Sequence, residues 1–170
     1  MARPSVTRGI LSPGHRGTVE TLAIMSQLAH EGSVNPDVRK FVAHLLDQRA
    51  TSRSPLETVR TLFDFVMRDV SYLPDHARIE ELRTVPRTLA ERRGDCDDKS
   101  TLLAGLLLAA RVPVRLLWRV IGTRPGSDAF THVYVVAHLA GQRLALDTTH
   151  TGTPFGWEFP SPAIAAEVPV

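Results

Sequence analysis

The chain has 170 residues, 43% hydrophobic and 22% charged, which reads as one soluble globular domain with an ordinary core and excludes a disordered polypeptide. The net charge is only +2, and 18 arginines and two lysines are spread along the whole length, which argues against a nucleic-acid footprint. The longest apolar run, 102–110, is too short to cross a bilayer, so no membrane partner is expected.

Residues 1–16 carry Pro4, Gly9, Pro13 and Gly14 without periodicity and read as an extended arm. A helical pattern over about 18–31 places Val19, Leu22, Ala23 and Leu28 on one side, with Gly32 as its stop. A second helix opens on Asn35 as N-cap with Pro36 in its first turn and buries Val38, Phe41, Val42, Leu45 and Leu46. A third opens on the capping-box sequence Ser54-Pro55-Leu56-Glu57, and its stripe is Val59, Leu62, Phe63, Val66, Met67 and Val70. Residues 71–94 read as irregular, broken by Pro74 and Pro86. A fourth helix starts near Cys96, buries Leu102, Leu103, Leu106, Leu107 and Ala110, and stops before Pro113.

The period then changes to two, with strands expected over 114–121, 131–139 and 143–147 and a loop over 122–129. The Pro- and Gly-rich stretch 151–170 reads as a tail or flap without regular structure. Helices first and strands later give an α+β fold, with residues 17–150 as the domain proper.

Cys96 is the only cysteine, which excludes an intramolecular disulfide, and the seven histidines form no close-spaced ligand cluster, so no metal is expected. The segment 122–126 lacks the Lys-Ser/Thr of a phosphate loop, so no cofactor is expected. The start of the chain lacks the apolar stretch of a secretory signal, and a cytoplasmic location is expected.

The thiol sits in Arg93-Gly94-Asp95-Cys96-Asp97-Asp98-Lys99-Ser100. With Asp95 as cap, Cys96 occupies the first helical turn, where unpaired N–H groups favour a thiolate and can steady an oxyanion. Asp95, Asp97 and Asp98 oppose the thiolate, and Asp98 is expected to reach back as the third residue of a capping box. A base is therefore needed. Even residues from His132 to His138 share one strand face, while Val133, Val135, Ala137 and Leu139 share the core face. A two-residue loop at Ala140-Gly141 sets Leu139 opposite Gln142 and Tyr134 opposite Asp147, which makes Asp147 a diagonal neighbour of His132 on the same face. Cys96, His132 and Asp147 are the expected nucleophile, base and orienting group.

His138 lies near the turn and reads as a surface histidine, while His150 follows Asp147 too closely to use it in the same geometry. His15, His30, His44 and His76 read as ordinary solvated side chains, and Arg92 and Arg93 as a solvated charge pair, with binding of acidic substrate groups as the alternative. Phe155 and Trp157 either cover the cleft, dock on a partner or close a satellite core.

These segments, from Pro86 through the Gly-Asp-Cys-Asp-Asp-Lys motif, Thr131-His132-Val133-Tyr134-Val135 and Leu146-Asp147-Thr148-Thr149, resemble the transglutaminase-like superfamily over roughly 55–150. The Gly-Asp-Cys motif with a later Pro154-Phe155-Gly156-Trp157-Glu158 segment resembles small domains encoded among bacteriophage structural genes. The resemblance implies a papain-like α+β fold, with Cys96 as nucleophile, His132 as general base and acid and Asp147 as the orienting carboxylate. It also implies an aromatic near the oxyanion, for which Tyr72 is one candidate and Trp118 a weaker one; Trp157, on the flap that could cover the cleft, is a further candidate for substrate binding.

The activity implied is that of a cysteine peptidase or amidase. The alternatives are transfer of the acyl group to an amine, or a non-catalytic scaffold module of a phage particle. The implied partner is a protein or peptide substrate, phage structural proteins among them, in host cytoplasm or on the virion.

Overall fold

The computed structural model describes residues 15–74, 81–124 and 129–170. Helices α1 (His15–Val34), α2 (Pro36–Arg49) and α3 (Pro55–Asp69) are followed by the short strand β1 (Ser71–Tyr72), helix α4 (Val85–Glu91), strand β2 (Arg93–Gly94) and helix α5 (Cys96–Ala109). Strands β3 (Arg115–Gly122), β4 (His132–Leu139), β5 (Gln142–Leu146) and β6 (Ile164–Pro169) complete the chain. The four long strands form an antiparallel sheet in the order β5-β4-β3-β6, and β1 and β2 pair in parallel. Helices α1 to α5 precede the four-stranded sheet and pack on one of its faces, so the α+β expectation holds.

The caps read from sequence form as expected at two helices. Asn35 Oδ1 accepts from the N–H groups of Asp37 and Val38, and Ser54 Oγ accepts from that of Glu57. Glu57 does not close the box, because its carboxylate instead accepts from the N–H and hydroxyl of Thr51. In α1 the buried side is Leu22, Met25, Ala29 and Gly32, and Val19 is exposed. Gly32 does not stop this helix. It lies where α1 crosses α4, and a Cβ there would stand 2.4 Å from Val85 Cβ, so glycine permits the close approach.

Helix α5 is buried from Asp98 through Leu107 on every side, wrapped by the other helices and by β4. A helix enclosed all round loses the one-sided stripe that sequence periodicity detects.

Two further expectations are corrected. Pro86 does not break the chain but sits in the first turn of α4, where its missing N–H costs nothing. The stretch after 150 is not devoid of regular structure: β6 pairs with the edge of β3, Phe155 packs edge-on against Phe63 at 5.3 Å, and Phe159 packs beneath the open face of the sheet. Glu158 anchors this segment by accepting from Tyr134 Oη and both terminal nitrogens of Arg143. The arm's residues 1–14 and His76 fall outside the described residues, while His15 and Arg16 already belong to α1.

Candidate active site

The hairpin register is the one expected. Leu139 faces Gln142 and Val135 faces Leu146, around a two-residue turn in which Ala140 and Gly141 both have positive φ (50° and 82°). Val133, Val135, Ala137 and Leu139 enter the main core against the helices, while Tyr134 and Val136 enter the smaller cluster on the opposite face. Asp147 follows the last residue of β5 and is brought to His132, the first residue of β4. The Nε2–H of His132 donates to Asp147 Oδ2 at 2.8 Å. The other ring nitrogen, Nδ1, is left outside that bond.

Asp147 is fully buried, which pushes its carboxyl pKa up. The bond and charge of His132 and two bonds from Thr149 outweigh burial and hold it at about 2. Thr149 closes an Asx turn in which its N–H and Oγ–H both donate to Asp147 Oδ1, at 2.9 and 2.6 Å. That turn folds the chain back, so that His150 Nδ1–H also donates to Asp147 Oδ2, at 2.9 Å. His150 therefore does share Asp147 with His132. The strand register could not reveal this, because the contact depends on the turn beyond the strand end. Trp157 packs against His150 with ring centroids 5.2 Å apart, which sets this residue beside the cluster.

Cys96 opens α5. Asp95 caps the helix as expected, its Oδ1 accepting from the N–H groups of Asp97 (3.1 Å) and Asp98 (3.2 Å). Those two amides are thereby consumed, so the amide of Cys96 itself is the helix-start donor outside the cap. Asp98 is not part of a capping box. Its carboxylate accepts from the Arg83 N–H at 2.8 Å and forms a buried ion pair with the Arg83 guanidinium. A Cβ on Gly94 would stand 2.4 Å from Asp98 Cβ, so glycine is what lets the chain pass beneath this pair.

Helix α5 docks on β4 through Ser100 Oγ, which donates to the Val133 carbonyl at 3.1 Å. One turn earlier, the half-buried Cys96 meets the backbone N–H of Val133, the residue next to His132. The Cys96 thiol donates to Asp97 Oδ1 at 3.5 Å rather than to His132. Burial pushes this thiol up, the charges of Asp97 and Asp95 push it further, and the Val133 amide pulls it down. The structure thus joins His132 to Asp147 and brings Cys96 to the strand that carries His132, with the thiol turned to its neighbouring carboxylate.

Lys99, three residues on, is a site feature the sequence reading missed. It is fully buried and its Nζ donates to the Val70 carbonyl at 2.6 Å. Burial lowers its pKa to about 8, against the opposing pull of Asp147. A lone lysine in an apolar helix was the available signal.

The aromatics divide. Tyr72 pairs through its backbone with Gly94, two residues before Cys96, and is half exposed. Trp118 is wholly buried on the helix side of β3, where its Nε1–H donates to Ser26 Oγ at 2.8 Å. Arg92 is not a solvated charge, because its guanidinium lies over the Phe65 ring at 4.5 Å and the Phe41 ring at 5.2 Å. The expectation of no metal-ligand cluster also changes in three dimensions. His132, Asp147 and His150, from a strand start, a strand end and a turn, offer donor atoms all within 4.8 Å of one another. Among the described residues, no helix is long and apolar enough to cross a membrane.

A family model described as the transglutaminase-like superfamily matches residues 43–155. Among solved structures, a candidate protease from Parabacteroides distasonis aligns with a TM-score of 0.60 at 20% identity, covering 93% of this chain and 30% of that one. A candidate cysteine protease from Cytophaga hutchinsonii aligns with a TM-score of 0.49 at 17% identity, covering 66% of this chain and 37% of that one. The chain thus spans about a third of the length of each of these two proteins. At 20% identity the Parabacteroides structure shares the fold. Among curated proteins none matches the chain.

Proposed function

The chain belongs to the transglutaminase-like superfamily, and from that premise we propose that it performs thiol-dependent acyl chemistry on a protein or peptide amide, as a cysteine peptidase or amidase. The observation that carries this reading is the 2.8 Å bond between His132 Nε2 and Asp147 Oδ2, which fixes the imidazole and commits Nδ1 to other work. Cys96 swings from Asp97 to His132 as the substrate seats, a tightening common at catalytic pairs. His132 Nδ1 takes the thiol proton, and the sulfur attacks the amide carbonyl carbon. The Cys96 amide steadies the oxyanion, with Tyr72 on the adjoining strand as the second group. The imidazolium then gives its proton to the leaving amine. Water, activated by the same histidine, releases the acid from the thioester.

Transfer of the acyl group to an amine instead of water uses the same residues. A scaffold module without catalysis is the second reading, and the bond from the thiol to Asp97 is what favours it. The likeness of residues 154–158 to phage-encoded domains makes virion structural proteins the substrate class to assay first.

Intact-mass analysis of the chain with a peptide amide, with and without a primary amine, tests the proposal. The expected result is hydrolysis that Cys96→Ala abolishes, through a transient acyl adduct on Cys96. Amine-bearing product would assign transfer, and no turnover of any protein or peptide amide by either protein would leave the scaffold reading.

A further inference from the structure

The two histidines that share Asp147 approach it from different directions. Their rings stand 85° apart with centroids 5.3 Å apart, yet His132 Nε2 and His150 Nδ1 reach the same oxygen, Oδ2, at 2.8 and 2.9 Å. Each nitrogen makes its shortest bond to that oxygen, and Thr149 Oγ lies 3.4 Å from the first and 3.2 Å from the second. Acyl chemistry through Cys96 uses only one of these contacts. We propose that His132 Nε2, Asp147 Oδ2 and His150 Nδ1 form a binding site for a single divalent transition-metal ion of the zinc class, in which the ion takes the place of the two protons now held between the rings and the carboxylate, and each neutral ring carries its proton on its other nitrogen, His132 Nδ1 and His150 Nε2.

The chemistry of the donors fits. Two imidazole nitrogens and one carboxylate oxygen suit zinc, with a fourth position left for water. Bonds of roughly 2.0–2.2 Å in a tetrahedron set donor atoms about 3.3–3.6 Å apart. The two short edges of the cluster must open by about half an ångström, and the third, within 4.8 Å, must close or hold. Side-chain rotation of His150, whose side chain is 41% exposed, opens its own edge to Asp147, and a small shift of the His132 ring opens the other.

The support around the donors is also in place. The Thr149 N–H and hydroxyl both bind Asp147 Oδ1, which leaves Oδ2 presented to the two rings, and bonds of this kind orient ligating carboxylates. Trp157 backs the His150 ring. The charge opposing a cation is Lys99, buried near Asp147.

The consequence for catalysis rests on the acyl-chemistry reading. An ion on His132 Nε2 leaves the ring's one proton on Nδ1, which can then no longer take the proton of the thiol, so occupancy turns the thiol chemistry off. The site would then be inhibitory and reversible by a chelator.

The test is a titration of the full chain with Co2+ alone, read by visible absorption of the bound ion, followed by displacement with Zn2+. One saturable site is expected in the native protein. Cys96→Ala should keep its affinity, since the sulfur is not a ligand. His150→Gln and His150→Asn, at a partly exposed position, should each weaken binding by more than the roughly 10–100-fold that loss of a mere supporting partner costs. Absence of a saturable site, unchanged affinity in a folded His150 variant, or loss of the site in Cys96→Ala would each overturn the assignment. Because the metal readout is independent of turnover, an inert thiol would sink the acyl-chemistry reading and leave the site standing.

Discussion

Asp147 stays ionised to about pH 2 although it is buried, because the bonds from His132 and Thr149 and the charge of His132 favour its carboxylate over the neutral acid. The folded carboxyl lies below its ordinary value of 3.8, so its contribution is complete above about pH 4 and is lost as the pH falls through 2. The shift corresponds to about 2 kcal/mol. Urea unfolding at pH 7, 4 and 2 should therefore lose about that much stability across the acid window in the native protein, and Asp147→Asn should lack that part of the loss. The pairing of His132 with Asp147 was legible in the sequence because strand alternation and a two-residue turn fix which side chains share a face. The second contact from His150 was not, because it depends on the Asx turn at Thr149. The direction of the Cys96 thiol was hidden for a related reason: the choice between Asp97 and His132 is a single rotamer.

At the scale of elements, the caps at Asn35, Ser54 and Asp95 marked three helix starts because each satisfies donors that the helix leaves open. Contacts between elements were less visible. Gly32 has the look of a helix stop, yet it is the point where α1 admits Val85 of α4. Strand β6 lacks a clean alternation and is flanked by prolines, and it is recruited only because β3 has an edge to offer. The glycine gives a sharp prediction. Gly32→Ala places a methyl group inside Val85, in a core with no slack, and should destabilise the protein by about 1–3 kcal/mol in urea unfolding. Gln27→Ala, on the exposed side of the same helix, should stay within about 0.5 kcal/mol.

The whole molecule is arranged so that two layers meet at one end of the sheet. The buried helix α5 carries Cys96 at its start and is bonded to β4 through Ser100, while β4 and the end of β5 supply His132 and Asp147. The C-terminal segment closes the opposite face, and Glu158 ties it to Tyr134 and Arg143. Function on this account requires the sulfur at the helix start to work with the imidazole at the strand start. The most direct measurement is the rate of Cys96 alkylation by iodoacetamide against pH, in the native protein and in His132→Ala. The account predicts that the native thiol reacts faster at neutral pH, with a profile that carries the titration of its partner, and that His132→Ala slows it and shifts the profile upward. Identical rates and profiles in the two proteins would contradict it.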